Sequence, residues 1–211
     1  MENIDKLYEA ILKGNLPLTV EMTKIAIEQK IDPKSIIDNY MSKAMEEIGT
    51  RFENGKAFVP ELLMSSRAMK GALELLKPLL IDNNIPRAGT IVIGTVKGDL
   101  HDIGKNLVAS MLEGSGFEVV NLGVDISSDK FVTSIVEHKA NILCLSALLT
   151  TTMNYMKNVI HALEEAGIRN QIKIMVGGAP VNSTFAEEIG ADGYSSNANA
   201  AVAMAKQLLA S

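Results

Sequence analysis

Asp99 and His101 are the two side chains of this sequence whose spacing points most directly to chemistry. They stand in the stretch GTVKGDLHDIGKN, residues 94–106, which follows the apolar run IVI at 91–93. A histidine can move a proton or bind a metal, and a nearby carboxylate can hold one of its ring nitrogens. The pattern predicts a short polar loop that presents both side chains where a strand ends. For a lone histidine in a loop, a plain surface position is the simpler interpretation.

Two phosphate-binding motifs do not fit this glycine-rich stretch. Gly94, Gly98 and Gly104 cannot be aligned with the G-x-G-x-x-G pattern of dinucleotide-binding loops. The Walker pattern needs four residues between its first glycine and the Gly-Lys pair, whereas five residues separate Gly98 from Gly104. The glycines therefore need an explanation other than a nucleotide phosphate.

From residue 89 onward, short apolar runs alternate with stretches of helical periodicity. The apolar runs predict strands at 89–95, 118–122, 141–146, 172–177 and 192–195. Helices are predicted near 104–114, 128–139, 152–167, 182–189 and 198–210. Strict alternation predicts a doubly wound, parallel, five-stranded sheet of the Rossmann or flavodoxin-like type, with helices on both faces.

Residues 1–85 carry a purely helical pattern. Four helices with short turns are predicted, the third beginning at Pro33 and the fourth covering about 61–76. Pro78 and Pro86 would border a linker, with 81–88 as its flexible part. The sequence thus predicts an α plus α/β organisation, with a four-helix bundle over 1–85 and an α/β domain over 89–211.

The composition narrows the classes of protein. Of 211 residues, 47% are hydrophobic and 21% charged, as in ordinary soluble proteins, and a net charge of −5 argues against a general nucleic-acid binder. The opening MENIDK has no apolar signal region, and no apolar run approaches the roughly 20 residues of a membrane span. Cys144 lies in an apolar run and is predicted to be a buried thiol. We expect a cytoplasmic protein without nucleic-acid or membrane partners.

Two more segments join the 96–103 loop at the predicted sheet edge where ligands of such folds bind. Ser146-Ala-Leu148 ends one strand and is followed by the threonines at 150–152, and Gly177-Gly178 ends the next. Taken singly, the glycine pair indicates a tight turn and the threonines an N-cap. Backbone without side chains also lets a flat ligand lie against it.

In combination, these segments resemble the signature of cobalamin-binding domains. Asp-x-His-x-x-Gly at 99–104, Ser-x-Leu at 146–148 and Gly-Gly at 177–178 match it in order. Residues 98–106 look like the loop of cobalamin-dependent methionine synthases, and equally that of the corrinoid proteins of methanol, methylamine, betaine and aryl-ether methyltransferase systems. FENGKAFVPEL, residues 52–62, is similar to the family's cap domain, so the resemblance covers nearly the whole chain.

The resemblance implies cobalamin or a related corrinoid, including methylcobalamin, as the cofactor. In that family the benzimidazole arm leaves cobalt and threads beside the sheet, while a histidine becomes the lower metal ligand. By resemblance, His101 is the cobalt ligand, Asp99 holds its second nitrogen, and Thr152 stands where the family has a serine; these are the candidate catalytic residues. The other candidate cofactor-binding residues are Gly98, Asp102, Ile103, Gly104, Ser146, Leu148, Thr150, Gly177 and Gly178, with Phe52, Val59 and Leu62 from the cap. The alternative for the last three is that they are bundle core, and for Leu62 the two interpretations are balanced.

The same resemblance implies a methyl carrier rather than a complete enzyme. A substrate-specific methyltransferase would load the cobalt, and a second methyltransferase would pass the methyl group to an acceptor such as coenzyme M or tetrahydrofolate. A reductive activase is a further partner that the family implies. The cap would shield the reduced cobalt between transfers. The donor stays open among methylamines, betaines, methanol and methoxylated aromatics.

Three other classes share part of the pattern. The cobalamin subunit of an adenosylcobalamin mutase has the Asp-x-His loop but lacks the helical cap. A cobalamin-sensing regulator usually adds a DNA-binding module, for which 211 residues leave little space. A phosphoacceptor signalling domain needs an acidic cluster at the strand ends, and Asp99 with Asp102 is a poor substitute.

Overall fold

The computed structural model describes residues 4–82 and 88–210. These residues fall into two compact units. The first holds the helices before residue 83 together with Glu113–Gly116, and the second holds Ala88–Leu112 and the chain from Phe117 onward. Because 83–87 lie outside the described residues, the domain boundaries at 85 and 89 stay predictions.

The first unit is made of helices, as predicted. They are α1 (Asp5–Leu12), α2 (Leu16–Glu28), α3 (Pro33–Ile36), α4 (Ser42–Glu53) and α5 (Val59–Asp82). A π-helical turn, Ile37–Met41, continues α3 into α4, so the third predicted helix is present with one wide turn inside it. Asn15 and Asp32 cap α2 and α3 by accepting a hydrogen bond from a backbone N–H three residues ahead. The completely buried residues include Leu7, Ile11, Ile36, Met41, Leu62, Met69 and Leu76.

The last helix of this unit is longer than predicted. We expected it to end near residue 76, yet α5 passes through Pro78 and ends at Asp82. A proline has a helical φ, so a helix can continue past it at the cost of one backbone hydrogen bond and of a clash between its ring and the carbonyl four residues earlier. The predicted linker 81–88 is therefore wrong at its start, and residues 83–87 of it lie outside the described part of the chain.

The second unit contains the predicted parallel five-stranded sheet. Its strands are β1 (Thr90–Thr95), β2 (Glu118–Asn121), β3 (Ile142–Ser146), β4 (Lys173–Gly177) and β5 (Gly193–Tyr194). Its helices are α6 (Ile103–Gly114), α7 (Ser128–His138), α8 (Thr150–Met153), α9 (Tyr155–Glu165), α10 (Ser183–Glu188) and α11 (Ala198–Ala210). A short 3-10 turn, Arg169–Gln171, was not predicted.

The strand order β2-β1-β3-β4-β5 is flavodoxin-like and fixes where a ligand can lie. β1 lies between β2 and β3. The connection that follows β1 leads to β2 on one side of it, and the chain then crosses to β3 on the other side. The register pairs Thr95 with Ser146, and Ser146 with Gly177. The carboxyl ends of three neighbouring strands therefore meet in one row.

The interior strands are apolar because helices cover both faces of a parallel sheet. β1, β3 and β4 are buried over nearly their whole length, with Val92, Leu143 and Ile174 completely inaccessible. Cys144 lies in β3 and is buried as predicted. Among the described residues, no helix combines the length and apolarity needed to cross a membrane.

Candidate functional site

Asp99 is a fully buried carboxylate in the loop that follows β1. Its Oδ1 accepts hydrogen bonds from the backbone N–H of His101 at 3.0 Å and from His101 Nδ1 at 2.8 Å. Its Oδ2 accepts from the backbone N–H of Leu148 at 2.8 Å and from Thr152 Oγ1 at 2.7 Å. The carboxylate thus joins the loop after β1 to the loop after β3, two neighbouring strands of the sheet.

The bonds to Asp99 determine its charge. Burial raises the pKa of a carboxyl group, but hydrogen bonds from the Thr152 hydroxyl and from the backbone amides of His101 and Leu148 outweigh it. The net effect holds the pKa of Asp99 well below its usual range. Asp99 is therefore ionised and can only accept hydrogen bonds.

An acceptor-only Asp99 determines the tautomer of His101. The proton must reside on Nδ1, which donates to Asp99 Oδ1, so in the neutral ring the lone pair lies on Nε2. The His101 side chain is about half exposed, and Nε2 has no hydrogen-bond partner among the described residues. The arrangement presents one imidazole nitrogen, Nε2, at the rim and holds the ring in orientation through Asp99.

Thr152 completes the group from 53 residues away. It lies in α8, is almost fully buried, and its hydroxyl lies 3.0 Å from the carbonyl oxygen of Leu149 as well as 2.7 Å from Asp99 Oδ2. The alternative interpretation, that the threonines cap this helix, is wrong: Leu149 is the N-cap, and no side chain caps it. Thr150 is exposed and joins none of these contacts.

Two residues that the sequence analysis missed hold the loop in place. Thr95, the last residue of β1, donates from Oγ1 to the carbonyl oxygen of His101 at 2.9 Å. Asp125, in the loop after β2, accepts from the backbone N–H of Gly98 at 2.7 Å through Oδ1. Both are polar residues at or just beyond the carboxyl end of a strand, the same signal that singled out Asp99 and Ser146.

A separate polar network surrounds Lys105, which is buried in the first turn of α6. Its Nζ donates to Asn106 Oδ1 and to Asn121 Oδ1, each at 2.7 Å. Asn106 Nδ2 in turn donates to Asp102 Oδ2 at 2.9 Å. Burial lowers the pKa of Lys105, against the charge of Asp102. Asp102 is thus tied to the start of α6 and makes no described contact with His101.

The glycine pair after β4 differs from what its sequence suggested. A β-carbon on Gly178 would lie 1.8 Å from the carbonyl oxygen of Ala147, and the residue has φ +128°. Glycine is therefore required at position 178 because the backbone of Ala147, in the loop after β3, lies so close to it. A β-carbon on Gly177 would lie 3.2 Å from the carbonyl oxygen of Ser195, a tight but adjustable contact. Of the two glycines, Gly177 is the one that the fold does not itself require, so a ligand can be the reason for glycine there.

Around His101 the rim is apolar and exposed. Leu100, in the loop that carries the imidazole, and Ile103, the first residue of α6, have 72% and 87% of their surface accessible. Leu148 and Leu149, in the loop after β3, are exposed by more than two-fifths each. Ile103 and Leu148 were predicted site residues, whereas Leu100 and Leu149 were missed. Exposed apolar side chains on neighbouring loops are typical of a surface that a ligand or another protein covers.

Gly98 and Gly104 have different roles in the same loop. Gly98 has φ +84°, a left-handed conformation that favours glycine, and its β-carbon would lie 3.6 Å from Thr152 Cγ2. Gly104, in the first turn of α6, has nothing within 4 Å of a β-carbon and an ordinary φ. The protein itself therefore gives no reason for glycine at 104.

The candidate cap residues lie in the helical unit. Leu62 is completely buried, Phe52 is half-buried and Val59 is 38% exposed. Burial agrees with the alternative interpretation of Leu62 as bundle core, and contact with a ligand would require that burial to be relieved. For Phe52 and Val59, contact with a cofactor stays a prediction.

The chemistry of these residues fits a corrinoid. No group of three or more histidine, cysteine, aspartate or glutamate side chains in the described chain could hold a bare metal ion. His101 offers a single nitrogen, which suits a metal whose other ligands come from its own macrocycle, as cobalt's do in a corrin. The exposed leucines beside it suit the apolar edge of such a ring, and the carboxylate behind it is the usual partner of a metal-binding histidine.

Comparisons with known proteins lead to cobalamin-binding proteins. Two family models, each described as a B12 binding domain, match residues 89–203 and 3–77. The dimethylamine corrinoid protein of Methanosarcina barkeri is 41% identical over 99% of this chain and 98% of its own length. The trimethylamine corrinoid protein of the same organism is 41% identical over 99% and 97%.

Solved structures lead to the same group of proteins. A chain in the crystal structure of the methanol:cobalamin methyltransferase complex from Methanosarcina barkeri superposes with a TM-score of 0.83 at 33% identity. The match covers 99% of this chain and 80% of that one. The predicted fold, an α-helical region followed by a parallel five-stranded sheet, is confirmed.

Proposed function

Because this chain belongs to the B12-binding corrinoid proteins, we propose that it carries a methyl group on the cobalt of its corrinoid between two methyltransferases. It binds cobalamin or a related corrinoid, as the family does. One methyltransferase would be specific for the methyl donor, and the other would deliver the methyl group to an acceptor. The chain itself would be the shuttle, since the described site offers one metal-binding nitrogen, Nε2 of His101.

A single observation supports this function above the others. His101 Nδ1 donates to an ionised Asp99 at 2.8 Å, which leaves the Nε2 lone pair directed away from its buried partner. Such a nitrogen is a good donor to a transition metal. We infer that His101 Nε2 would hold the cobalt of a bound corrinoid, in place of the cofactor's own benzimidazole nitrogen.

When bound, the corrinoid would supply a cobalt atom that accepts a methyl group and gives it up again. The chain's own residues would adjust how strongly His101 binds the cobalt. The carboxylate of Asp99 makes the imidazole a stronger donor by attracting its Nδ1 proton. A proton taken up at Nε2 would give an imidazolium that faces the negative charge of Asp99. Thr152, at 2.7 Å from Oδ2, would tune that charge by its hydrogen bond.

For the donor we propose a methylamine. The dimethylamine and trimethylamine corrinoid proteins are equally similar to this chain, at 41% identity, so identity does not choose between them. Among the solved structures, the monomethylamine corrinoid protein of Methanosarcina barkeri is 38% identical to this chain and the chain of the methanol complex 33%. Coenzyme M or tetrahydrofolate is the proposed acceptor, and a reductive activase the proposed means of recovering oxidised cobalt.

Spectroscopy of the loaded protein tests the ligand. The chain is labelled with ¹⁵N, loaded with unlabelled hydroxocobalamin and reduced by one electron, and its electron paramagnetic resonance spectrum is recorded. We expect each cobalt line to be split in two by one ¹⁵N nucleus, in place of the three-fold splitting from ¹⁴N in unlabelled protein. A three-fold splitting in the labelled protein would mean that the benzimidazole still binds cobalt, which contradicts the proposal.

The donor is tested separately. The loaded, reduced chain is mixed with purified methyltransferases specific for monomethylamine, dimethylamine, trimethylamine or methanol, each with its substrate. Methylation of cobalt is followed by absorbance, with His101→Ala protein as the control. Methylation with a methylamine enzyme and none with the methanol enzyme is expected. The opposite pattern would contradict the proposed donor and leave the carrier role intact.

A further inference from the structure

Asp125 combines an uncommon backbone with an unusual pair of contacts. It follows β2 in the segment Gly123-Val-Asp125 and has φ +56°, in the left-handed region that few non-glycine residues occupy. Aspartate tolerates this conformation better than most residues but still pays for it. A loop that needed only the turn would be served by glycine, as at Gly123 with φ +91°. The side chain of Asp125 therefore needs its own explanation.

Asp125 makes one hydrogen bond to the residue before Asp99 and one to Asp99 itself. Asp125 Oδ1 accepts from the backbone N–H of Gly98 at 2.7 Å, and the backbone N–H of Asp125 donates to the carbonyl oxygen of Asp99 at 3.1 Å. Aspartate in turns usually bonds to an amide a few residues away, whereas 27 residues separate this pair. Asp125 therefore joins two loops rather than shaping its own.

The neighbouring residues extend this connection. The backbone N–H of Ile126 donates to the carbonyl oxygen of Thr95 at 3.0 Å, and Val96 pairs with Ile126 as a parallel bridge. Thr95 also binds the carbonyl oxygen of His101 through its hydroxyl. The segment after β2 thus holds the His101 loop at its entry, on the side away from β3.

We propose that Asp125 is a positioning residue for His101: by fixing Gly98 and the backbone of Asp99, it sets the place and direction of the imidazole. The inference rests on the proposed role of His101 as a cobalt ligand. Asp99 orients the ring through its side chain, and Asp125 orients Asp99 through its backbone. Without Asp125, the loop entry would lose a charged acceptor for the Gly98 amide, and the imidazole nitrogen would reach cobalt in a smaller fraction of molecules.

Three variants distinguish the loss of the hydrogen-bond acceptor at residue 125 from a change in its left-handed backbone conformation. Asp125→Asn keeps an oxygen acceptor and tolerates the left-handed backbone, while Asp125→Gly relieves the backbone and removes the acceptor. Lys139→Gly is the matched control, since exposed Lys139 also has a left-handed φ of +49° but lies at the end of α7. Comparing the two glycine variants isolates the lost acceptor from the effect of glycine in a left-handed position.

The first measurement needs no cofactor. Hydrogen exchange of the Gly98 amide is followed by nuclear magnetic resonance in the corrinoid-free chain. A hydrogen bond to a charged group slows exchange on the order of 10- to 100-fold, so exchange should accelerate by that factor in Asp125→Gly. It should stay at the parent rate in Lys139→Gly and lie between the parent and Asp125→Gly rates in Asp125→Asn, whose uncharged oxygen is a weaker acceptor. An unprotected Gly98 amide in the parent chain would overturn the proposal without any variant.

The second measurement reads the ligand directly. In the loaded, one-electron-reduced protein, the fraction of cobalt with nitrogen splitting from ¹⁵N-labelled chain should fall in Asp125→Gly and recover in Asp125→Asn. Splitting at the parent level in a folded Asp125→Gly protein would overturn the positioning role, as would an equal loss in Asp125→Asn. If the parent itself shows no protein nitrogen on cobalt, the proposed function fails, while the exchange measurement still decides whether Asp125 holds the loop.

Discussion

Gly178 faces the carbonyl oxygen of Ala147 so closely that a β-carbon would lie 1.8 Å from it. The pair joins the ends of β4 and β3 at the rim that carries His101. A backbone contact of this kind cannot be relieved by rotating a side chain. Gly178 is thus fixed by the fold, whereas its neighbour Gly177 has an ordinary φ and only a tight contact with Ser195.

Alanine at the two glycines should therefore act differently. Gly178→Ala should destabilise the corrinoid-free chain by about 1–3 kcal/mol or more, because it adds overpacking to a strained φ. Gly177→Ala should cost less than about 1 kcal/mol and instead weaken cobalamin binding, if the corrinoid's detached arm passes there. Urea unfolding and cobalamin titration measure the two effects. An unchanged affinity in folded Gly177→Ala protein would contradict a cofactor slot beside β4.

Gly104 differs from Gly178 because the fold itself does not require glycine there. Since nothing lies within 4 Å of a β-carbon at this position, Gly104→Ala should leave the corrinoid-free chain as stable or more stable by up to about 1 kcal/mol, as alanine favours a helix. If Gly104 makes room for the corrin ring, cobalamin affinity should fall in the same variant. Equal affinity together with raised stability would remove Gly104 from the cofactor site.

The hydrogen bond between Thr152 and Asp99 predicts an order of effects. Thr152→Ser keeps the hydroxyl and should be nearly silent, whereas Thr152→Ala leaves Asp99 Oδ2 with the amide of Leu148 as its main donor. Asp99→Asn should be more severe, because an amide nitrogen must then face one of the donors now bound to the carboxylate. Loss of such an outer partner typically costs on the order of 10- to 100-fold in metal affinity or activity.

The rate of methyl transfer from the partner enzyme measures this series, with the bound corrinoid quantified in each variant. His101→Ala should keep cobalamin bound and lose the nitrogen splitting. A Thr152→Ser protein as impaired as Thr152→Ala would show that the methyl group, and not the hydroxyl, matters at this position.

Cys144 gives a prediction for alkaline pH. Burial raises the pKa of this thiol from 9.0 to about 12. Above pH 9 the unfolded chain loses the thiol proton while the folded chain retains it, so the unfolded state binds fewer protons and the free energy of unfolding falls with pH. The contribution is complete below pH 9 and is lost as the pH rises toward 12.

Cys144→Ala removes this contribution. Between pH 9 and 10.5, the free energy of unfolding should fall less steeply in the variant, with a difference of up to about 1.4 kcal/mol per pH unit. Urea unfolding of parent and variant at several pH values measures it. Parallel pH profiles would indicate that the thiol ionises in the folded chain, contrary to its position in β3.

The sequence by itself determined the architecture of this protein. Helical periodicity and strand-length apolar runs are local properties, and the five strands lie where the runs predict them, as do the four helical stretches of the first half. The sequence also brought Asp99, His101, Ser146 and Gly177 to one edge, because carboxyl ends of parallel strands share an edge. Where a local signal was ambiguous, as at Pro78, the expected end of a helix was wrong.

Only the tertiary structure decided which atoms meet at that edge. The strand order places β1 between β2 and β3, and this order, absent from any local pattern, lets Asp99 reach Thr152 on one side and the Asp125 segment on the other. The structure also separates two neighbouring glycines, since one meets the backbone of Ala147 and the other does not. Hydrogen bonds and close contacts act over a few ångströms, so they depend on the neighbours that folding brings together from distant parts of the chain.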